Sequence, residues 1–295
     1  MEKKHAGPDE GIHQPLYGMT ATRQAQLARR RVCVCVDDYG LHEGINLAAL
    51  DLARLGRISA VSCLVDGPAW LAGAKALKQN EARLETGLHL NFTEDFGQNL
   101  VVQPLPRLIL LAYAHRLDRA ALKQDIRRQL DHFESAMARM PDFIDGHQHV
   151  HQLPVIRNVL LDVLNERYQS DKPWLRATHP PRAWTKLALP PSVKLKSWFI
   201  GRLGASALGR LAKQSSYWQN NHLLGVYGFD VSEKRYLHNL KVWFEDATDG
   251  DVLMCHPSLP GARDDPLLSA RNREYKVLSS DAFLALTKWA KIKTG

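Results

Sequence analysis

Residues 32–40 read VCVCVDDYG, and this stretch decides the fold prediction. Valine alternates with cysteine along it, so both of its faces are apolar, which is typical of a strand in a parallel sheet covered by helices. The run ends in two carboxylates, Asp37 and Asp38. Two later apolar runs also end in polar side chains: residues 86–92, TGLHLNF, and residues 143–151, FIDGHQHVH. These three segments are predicted to bring their polar ends to one edge of a sheet.

The rest of the chain continues an alternation of strands and helices. Apolar runs predict seven strands, at 32–36, 58–65, 88–90, 143–144, 174–178, 223–229 and 252–255, and helical periodicity marks 118–140, 155–164 and 281–292. Such βα repeats predict an α/β protein with a parallel sheet. A distorted or incomplete (β/α) barrel is the preferred fold, because active-site residues of barrels lie at the carboxyl ends of strands. A flavodoxin-like or Rossmann sheet is disfavoured, since no GxGxxG follows the first strand.

One domain is expected over residues 31–295, after a polar tail at residues 1–30. Residues 189–215 interrupt the repeat, with five basic residues, no acidic ones and several large apolar side chains. The favoured interpretation is an inserted helix that caps the barrel and exposes its basic side chains to solvent. The alternative is a basic amphipathic surface that makes peripheral contact with anionic lipid or a lipid-linked substrate.

Composition limits the classes of function. The chain has 295 residues, 45% of them apolar, and a formal charge of +8. The positive charge favours anionic partners, but no recognition motif accompanies it, so nucleic acid is not expected as a partner. Four cysteines without a CxxC pair indicate reduced thiols and a cytoplasmic location. Neither a transmembrane run nor the apolar centre of a signal peptide occurs in the sequence.

The Asp37–Asp38 pair is the first candidate for catalysis. Beside a divalent cation, one carboxylate can ligate the ion while the other accepts a proton from water. The plain alternative is that Asp38 caps the turn and Asp37 lies on the surface. His89 has apolar neighbours on both sides, and a single histidine in such a run is more often a core residue than a ligand. Its position at an equivalent strand end supports a ligand role.

Residues 145–151, DGHQHVH, are the strongest local signal. In an extended backbone His147, His149 and His151 project to one side, whereas in a helix His147 and His151 share one face. Either geometry delivers at least two imidazoles to one site. Asp145 can orient an imidazole through its second nitrogen. A solvated, histidine-rich loop is the alternative.

Two further side chains follow predicted strands. His256, in Cys255–His256–Pro257, is a candidate general acid for a leaving amine. Arg176 can bind a substrate oxygen or fix a carboxylate, and a purely structural ion pair explains it equally well.

These motifs together resemble the YdjC-like carbohydrate deacetylases. Members show a strand ending in DDFG and then an LxxGxN helix start, and this chain has DDYGL at 37–41 with Gly44 and Asn46. The family's G-[LM]-H matches residues 87–89, its D-[SG]-H-x-H-V-H matches residues 145–151, and its CHP matches residues 255–257. The resemblance covers about residues 31–260 in order; Tyr39 replaces the usual Phe, and residues 189–215 match none of these motifs.

The resemblance implies a distorted (β/α) barrel that removes acetyl groups from an N-acetylated sugar, either an oligosaccharide or a glycolipid. Asp38, His89 and His147 would bind one divalent ion, commonly Mg²⁺ in this family. Asp37 would be the general base, with His256 near the leaving group. That leaves Asp145, His149, His151 and Arg176 to support these groups or contact substrate. Two imidazoles and a carboxylate suit Zn²⁺, Mn²⁺ or Co²⁺ at least as well as Mg²⁺.

Two other functions fit the same residues. A different metal-dependent hydrolase on this barrel, such as a phosphoesterase, would use the same ligands. A non-catalytic, basic protein that binds membranes or polymers would keep the site only as a remnant. The joint presence of base, ligands and His256 argues against the second alternative. A homodimer is consistent with the family resemblance.

Overall fold

A sheet of seven parallel strands forms the centre of the structure, a computed structural model that describes residues 32–79, 84–181, 189–261 and 265–289. The strands are β1 (Val32–Tyr39), β2 (Ala60–Cys63), β3 (Glu85–Leu90), β4 (Phe143–Gly146), β5 (Trp174–Leu175), β6 (Leu223–Leu224) and β7 (Asp251–Cys255). Their order across the sheet is β5-β4-β3-β2-β1-β7-β6. The first and last of these seven strands, β1 and β7, are therefore neighbours.

The two edges of the sheet approach each other through irregular chain. The Leu175 N–H donates to the Trp218 carbonyl at 2.9 Å, and the Leu223 N–H donates to the His179 carbonyl at 2.7 Å. The sheet is thus curled into a distorted (β/α) barrel, which confirms the predicted fold. The strands predicted at 174–178 and 223–229 are wrong in length, because only two residues of each keep a regular ladder before the backbone turns into these closing contacts.

The side chains of β1 alternate between two apolar environments. Val32, Val34 and Val36 pack in the main core with the surrounding helices. Cys33 and Cys35 face the other way, into a smaller cluster that fills the barrel. That cluster also contains Ala60, Phe143, Trp174, Leu223, Val226, Val252 and Met254. Burial on both faces explains why the strand contains no polar residue until Asp37.

The helices lie outside the sheet and follow the amphipathic pattern. They are α1 (Glu43–Arg54), α2 (Trp70–Lys78), α3 (Leu105–Tyr113), α4 (Arg119–Met137), α5 (Ile156–Arg167), α6 (Pro191–Arg202), α7 (Ala205–Gln214), α8 (Glu233–Asp246), α9 (Leu268–Ser279) and α10 (Asp281–Trp289). The helix predicted at 118–140 is confirmed, with Asp118 as its N-cap accepting hydrogen bonds from two backbone N–H groups. The last helix is described only to residue 289, and residues 290–292 of the prediction lie outside the described residues.

Residues 189–215 form two helices, α6 and α7, so the expectation of one inserted helix is wrong. Gly204 lies between them with φ 132°, a conformation that favours glycine. A Cβ atom at this position would lie 2.2 Å from the Gln152 carbonyl oxygen. The close approach at Gly204 therefore separates the helices and fixes their corner against the loop that follows β4.

No helix in the described ranges is long and apolar enough to cross a membrane. The predicted polar tail, residues 1–30, lies outside those ranges.

Candidate active site

Polar side chains replace the apolar ones where the strands end. Asp37 follows Cys33 and Cys35 on the inward face of β1, and His89 on β3 is paired in register with Asp145 on β4. Arg176 comes directly after β5. All four residues are almost fully buried. The structure therefore brings the polar groups of these four strand ends together in one place.

Asp38 joins the same site because the backbone changes direction there. It has φ 65°, and the register between β1 and β2 shifts between Val36 and Tyr39. In a regular strand adjacent side chains point to opposite faces. The left-handed conformation at Asp38 instead brings its carboxylate to the same end of the barrel as that of Asp37.

One oxygen of Asp38 faces two histidines. The Asp38 Oδ1 atom lies 2.9 Å from His147 Nδ1 and 3.4 Å from His89 Nε2. One ligand atom from each of these three residues lies within 4.8 Å of the others. Burial works against a charged Asp38, but Arg271 and His147 hold the pKa of its carboxyl well below the usual range. A carboxylate and two imidazoles at this spacing can hold one divalent cation.

The second nitrogen of His89 is bound to a carboxylate. His89 Nδ1 lies 2.6 Å from Asp145 Oδ1, which also accepts a hydrogen bond from the Ser62 hydroxyl at 2.5 Å. Burial lowers the pKa of His89, but Asp145, followed by Asp38 and Asp37, raises it to about 10. Donation from Nδ1 leaves Nε2 directed at Asp38 and His147, an arrangement common for metal-binding histidines.

Arg176 connects the two other carboxylates. Its Nη1 and Nη2 atoms lie 2.6 Å and 2.8 Å from the two oxygens of Asp37, and Nη2 lies 2.7 Å from Asp145 Oδ2. Because the guanidinium is planar, the paired contacts fix the orientation of Asp37 as well as its position. The structure thus places Arg176 in ion pairs with both Asp37 and Asp145.

A second set of residues, Asp37, His89 and Asp145, also lies within ligand spacing. Both of its carboxylates are already paired with Arg176, and Asp145 is bound to His89 and Ser62 as well. A cation there would compete with a buried guanidinium. The cluster of Asp38, His89 and His147 is therefore the better candidate metal site.

The histidine-rich segment adopts neither expected geometry. Residues His147–Gln152 form a short 3-10 helix interrupted by left-handed φ/ψ values at Gln148 and His149, so neither an extended nor a helical projection applies. His151 turns away from the cluster, and its Nε2 lies 2.9 Å from the Arg176 carbonyl oxygen. Burial lowers the pKa of His151 to about 4. His149 is half-buried and belongs to neither candidate metal group within the described residues.

His256 continues β7 one residue beyond the pair Val36–Cys255, so it lies beside Asp37 on the neighbouring strand. Its backbone N–H donates to Glu274 Oε2 at 2.6 Å, and its ring contacts Phe229 edge-on at 5.4 Å. Burial lowers the pKa of His256, although the nearby Asp38 and Glu274 carboxylates oppose this. The imidazole is accordingly neutral near pH 7.

Several residues of the site lie outside the sequence motifs. Ser62 supports Asp145 from β2, and it lies two residues after the inward Ala60, so strand alternation could have found it. Glu94 lies 3.6 Å from His147 Nε2. Arg271 on α9 contacts Asp38 Oδ2 and Asp265 Oδ2, both at 2.7 Å. Nothing in the sequence around Arg271 distinguishes it from other helix residues.

The barrel and its buried carboxylate–histidine cluster define a (β/α)-barrel protein with a candidate site for a divalent cation. The chain belongs to the YdjC family, described as YdjC-like protein, whose family model matches residues 31–288. The family resemblance noted from the sequence is confirmed.

Named relatives and a solved structure are similar to this chain. A mouse (Mus musculus) protein named carbohydrate deacetylase is 26% identical over 262 residues, covering 79% of each chain. A chitooligosaccharide deacetylase of Yersinia pestis (strain Pestoides F) is 25% identical over 242 residues, covering 76% of this chain and 80% of its own. A crystal structure from Enterococcus faecalis V583, provisionally described as a cellobiose-phosphate cleavage protein, superposes with a TM-score of 0.66 at 16% identity. The superposition covers 90% of this chain and 96% of the Enterococcus chain. At this identity the similarity supports a shared fold and nothing about function.

Proposed function

We propose that this protein is a metal-dependent carbohydrate N-deacetylase, which hydrolyses the acetamide of an N-acetylated sugar to acetate and an amine. The observation that carries the proposal is the cluster of Asp38, His89 and His147 with Asp37 at its side. The names of the mouse and Yersinia relatives support the reaction class.

Asp38 Oδ1, His89 Nε2 and a ring nitrogen of His147 would hold the ion. The donor set fits, because the remaining atoms of these ligands are engaged elsewhere: Asp38 Oδ2 by Arg271, and His89 Nδ1 by Asp145. When bound, a divalent ion would supply Lewis acidity to the acetyl carbonyl and to the attacking water. Family resemblance favours Mg²⁺, and the two imidazoles make Zn²⁺, Mn²⁺ or Co²⁺ equally suitable.

Asp37 is proposed as the general base. Arg176 occupies one lone-pair direction on each oxygen of Asp37. A carboxylate oxygen has a second lone pair, so either oxygen can still accept a proton from water. The paired contacts with Arg176 also prevent the Asp37 side chain from rotating away from the water that it must deprotonate, which favours a fixed reaction geometry.

The proton taken from water must reach the nitrogen of the leaving group, so that an amine and not an amide anion departs. His256 lies beside Asp37 and is proposed to carry out this transfer. Because its imidazole is neutral at rest, His256 must first receive a proton before it can donate one. Its lowered pKa makes it a ready donor once protonated.

The remaining predicted residues are assigned supporting roles. Asp145 orients His89, Arg176 fixes Asp37, and His151 holds the backbone of Arg176. His149 is proposed to contact substrate. The substrate is an oligosaccharide or glycolipid carrying an N-acetylated sugar. We also propose that residues 31–295 act as one domain, and that the protein works in the reducing cytoplasm, which its four buried cysteines, present as thiols, support.

The direct test is acetate release from N-acetylglucosamine oligosaccharides. Metal-stripped protein is resupplied in turn with Mg²⁺, Zn²⁺, Mn²⁺ or Co²⁺. Asp37→Asn should lower the rate by about 100-fold or more while binding metal normally, because Asp37 is not in the preferred ligand set. Asp230→Asn, at an exposed position, is the matched control. If the protein released phosphate from phosphoesters but no acetate from the oligosaccharides, the proposed deacetylase function would be wrong and a phosphoesterase function would take its place.

A further inference from the structure

Helix α6 exposes three large apolar side chains on one face. Leu195, Trp198 and Phe199 are 64%, 42% and 52% exposed. Their spacing of three and four residues places them side by side on the helix surface. An apolar stripe of this kind is normally buried against a protein core.

The opposite face of α6 is the one that packs on the protein. Val193, Ser197 and Gly201 are buried and recur at intervals of four residues. The packing at Gly201 is close, since a Cβ atom there would lie 2.9 Å from the Pro180 ring. The helix is therefore held by its small-residue face, and its bulky apolar face is presented outward.

The segment that carries this exposed stripe is basic. Residues 189–215 carry five basic and no acidic side chains. Arg202 continues the stripe by one further turn, and its guanidinium lies over the Trp198 ring, 5.7 Å from the ring centroid. A partner for this face must accept both apolar side chains and basic groups, which an anionic lipid surface does and a neutral protein surface does not.

Helix α3 also exposes large apolar side chains. Leu110 and Tyr113 are 68% and 48% exposed, and α3 contains no acidic residue.

The stripe also lies close to the candidate active site. Lys196 donates to the Tyr227 carbonyl at 2.9 Å and lies over the Phe229 ring, 5.1 Å from its centroid. Phe229 in turn contacts the His256 ring. A surface that received Leu195 and Phe199 would therefore lie next to the rim of the site.

We propose that α6 is a membrane-docking helix, which inserts Leu195, Trp198 and Phe199 into the interface of an anionic phospholipid bilayer while Arg202 and neighbouring basic residues contact lipid headgroups. This proposal goes beyond the deacetylase function and does not depend on it. Apolar side chains and basic headgroup contacts together give reversible peripheral binding.

The test is co-flotation of the full chain with vesicles of phosphatidylcholine, with or without phosphatidylglycerol. Leu195→Ser/Trp198→Ser/Phe199→Ser should weaken binding to the anionic vesicles by at least about tenfold. The matched control, Leu47→Ser/Leu71→Ser, removes two exposed leucines from α1 and α2 and should bind as the unmodified protein does. Raising the salt from about 0.1 M to about 1 M should also weaken binding, because it shortens the Debye length from ~10 Å to ~3 Å.

Three outcomes overturn the proposal. The first is an unmodified protein that does not float with anionic vesicles, and the second is a triple variant that floats as well as the unmodified protein does. The third is a homodimer that the triple substitution dissociates while no vesicle binding occurs, which would assign the stripe to a second copy of the chain. Acetate release from a soluble oligosaccharide, measured without vesicles, reports on the proposed function separately and should be the same in the triple variant.

Discussion

Arg271 holds one oxygen of Asp38 and leaves the other free to face two histidines. The guanidinium contacts Asp38 Oδ2 at 2.7 Å and is itself anchored by Asp265, which also contacts His42 at 3.1 Å. Rotation of the carboxylate is thereby restricted, and Oδ1 is kept 2.9 Å from His147 Nδ1. An arginine outside the proposed ligand set thus determines which atom of Asp38 can ligate the ion.

We expect Arg271→Gln to weaken metal affinity by about 10- to 100-fold, the usual effect of removing a group that orients a ligand. Competition titration against a chromogenic chelator measures this without any substrate. Arg235→Gln, at an exposed position on α8, is the control and should leave affinity unchanged. Equal affinity in both variants, with Arg271→Gln still folded, would show that Asp38 needs no such restraint.

The buried ion pairs of Arg176 are expected to contribute to the free energy of unfolding. Removing a charge from a buried network typically costs about 3–5 kcal/mol, because its partners are left buried without compensation. Arg176→Met should lower the free energy of unfolding by that amount, measured by urea denaturation. Adding Asp37→Asn to this variant should recover part of the loss, since the two side chains are coupled.

The control for this measurement is Arg119→Met. Arg119 and Asp162 form an exposed pair at 3.3 Å, and exposed pairs contribute at most about 1 kcal/mol. If Arg176→Met and Arg119→Met lowered the free energy of unfolding by similar amounts, the buried contacts of Arg176 with Asp37 and Asp145 would not be important for stability.

Metal binding should release protons. His89 has a pKa raised to about 10, so its ring is cationic at pH 7 in the metal-free site, and Asp38 also raises the pKa of His147 against the effect of burial. A histidine must lose that proton from the nitrogen that ligates the ion. Calorimetric titration in buffers of different ionisation enthalpy should therefore detect between one and two protons released. Affinity should rise with pH up to about 10, and a buffer-independent heat would rule out this ligand set.

His151 should make stability depend on pH between about 4 and 6.5. Its folded pKa is depressed to about 4, so between these values the unfolded chain binds a proton that the folded chain excludes. Stability is therefore lost as pH falls through this range, by about 3 kcal/mol for a shift of this size. The loss should be absent from His151→Gln, which can donate the same hydrogen bond to the Arg176 carbonyl.

Urea denaturation of both proteins at several pH values, with chelator present, checks this expectation. His238→Gln, which removes an exposed histidine, should follow the unmodified protein. Parallel curves for the unmodified protein and His151→Gln would mean that His151 is protonated in the fold at no cost.

Strand alternation explains how much of the site could be predicted. Parallel strands end at one edge, so Asp37, His89, Asp145 and Arg176 follow from inward positions on four predicted strands. The geometry of the histidine-rich segment could not be predicted, because Gln148 and His149 adopt left-handed conformations. Such conformations are expected from sequence mainly at glycine, and neither residue is a glycine. The contact between Arg271 and Asp38 could not be predicted either, since the two residues are 233 positions apart and only tertiary packing brings them together.

The fold shows the same division. Seven apolar runs predicted seven strands and the barrel, but β5 and β6 are shorter than their apolar runs. Apolar side chains continue past each strand because the residues stay buried, while the backbone leaves the ladder to close the barrel. Burial is visible in a sequence, whereas the direction of a buried backbone is not.

The pairing of β1 with β7 has a consequence for how the protein matures. On the ribosome, β1 emerges before β7, so one of its two neighbours is missing while the segments between them are synthesised. Asp37 and Asp38 are synthesised well before His256 and Arg271, which complete the same site. A nascent chain would therefore carry an exposed edge of β1 until β7 has been made, and its site would be complete only after Arg271 has been added.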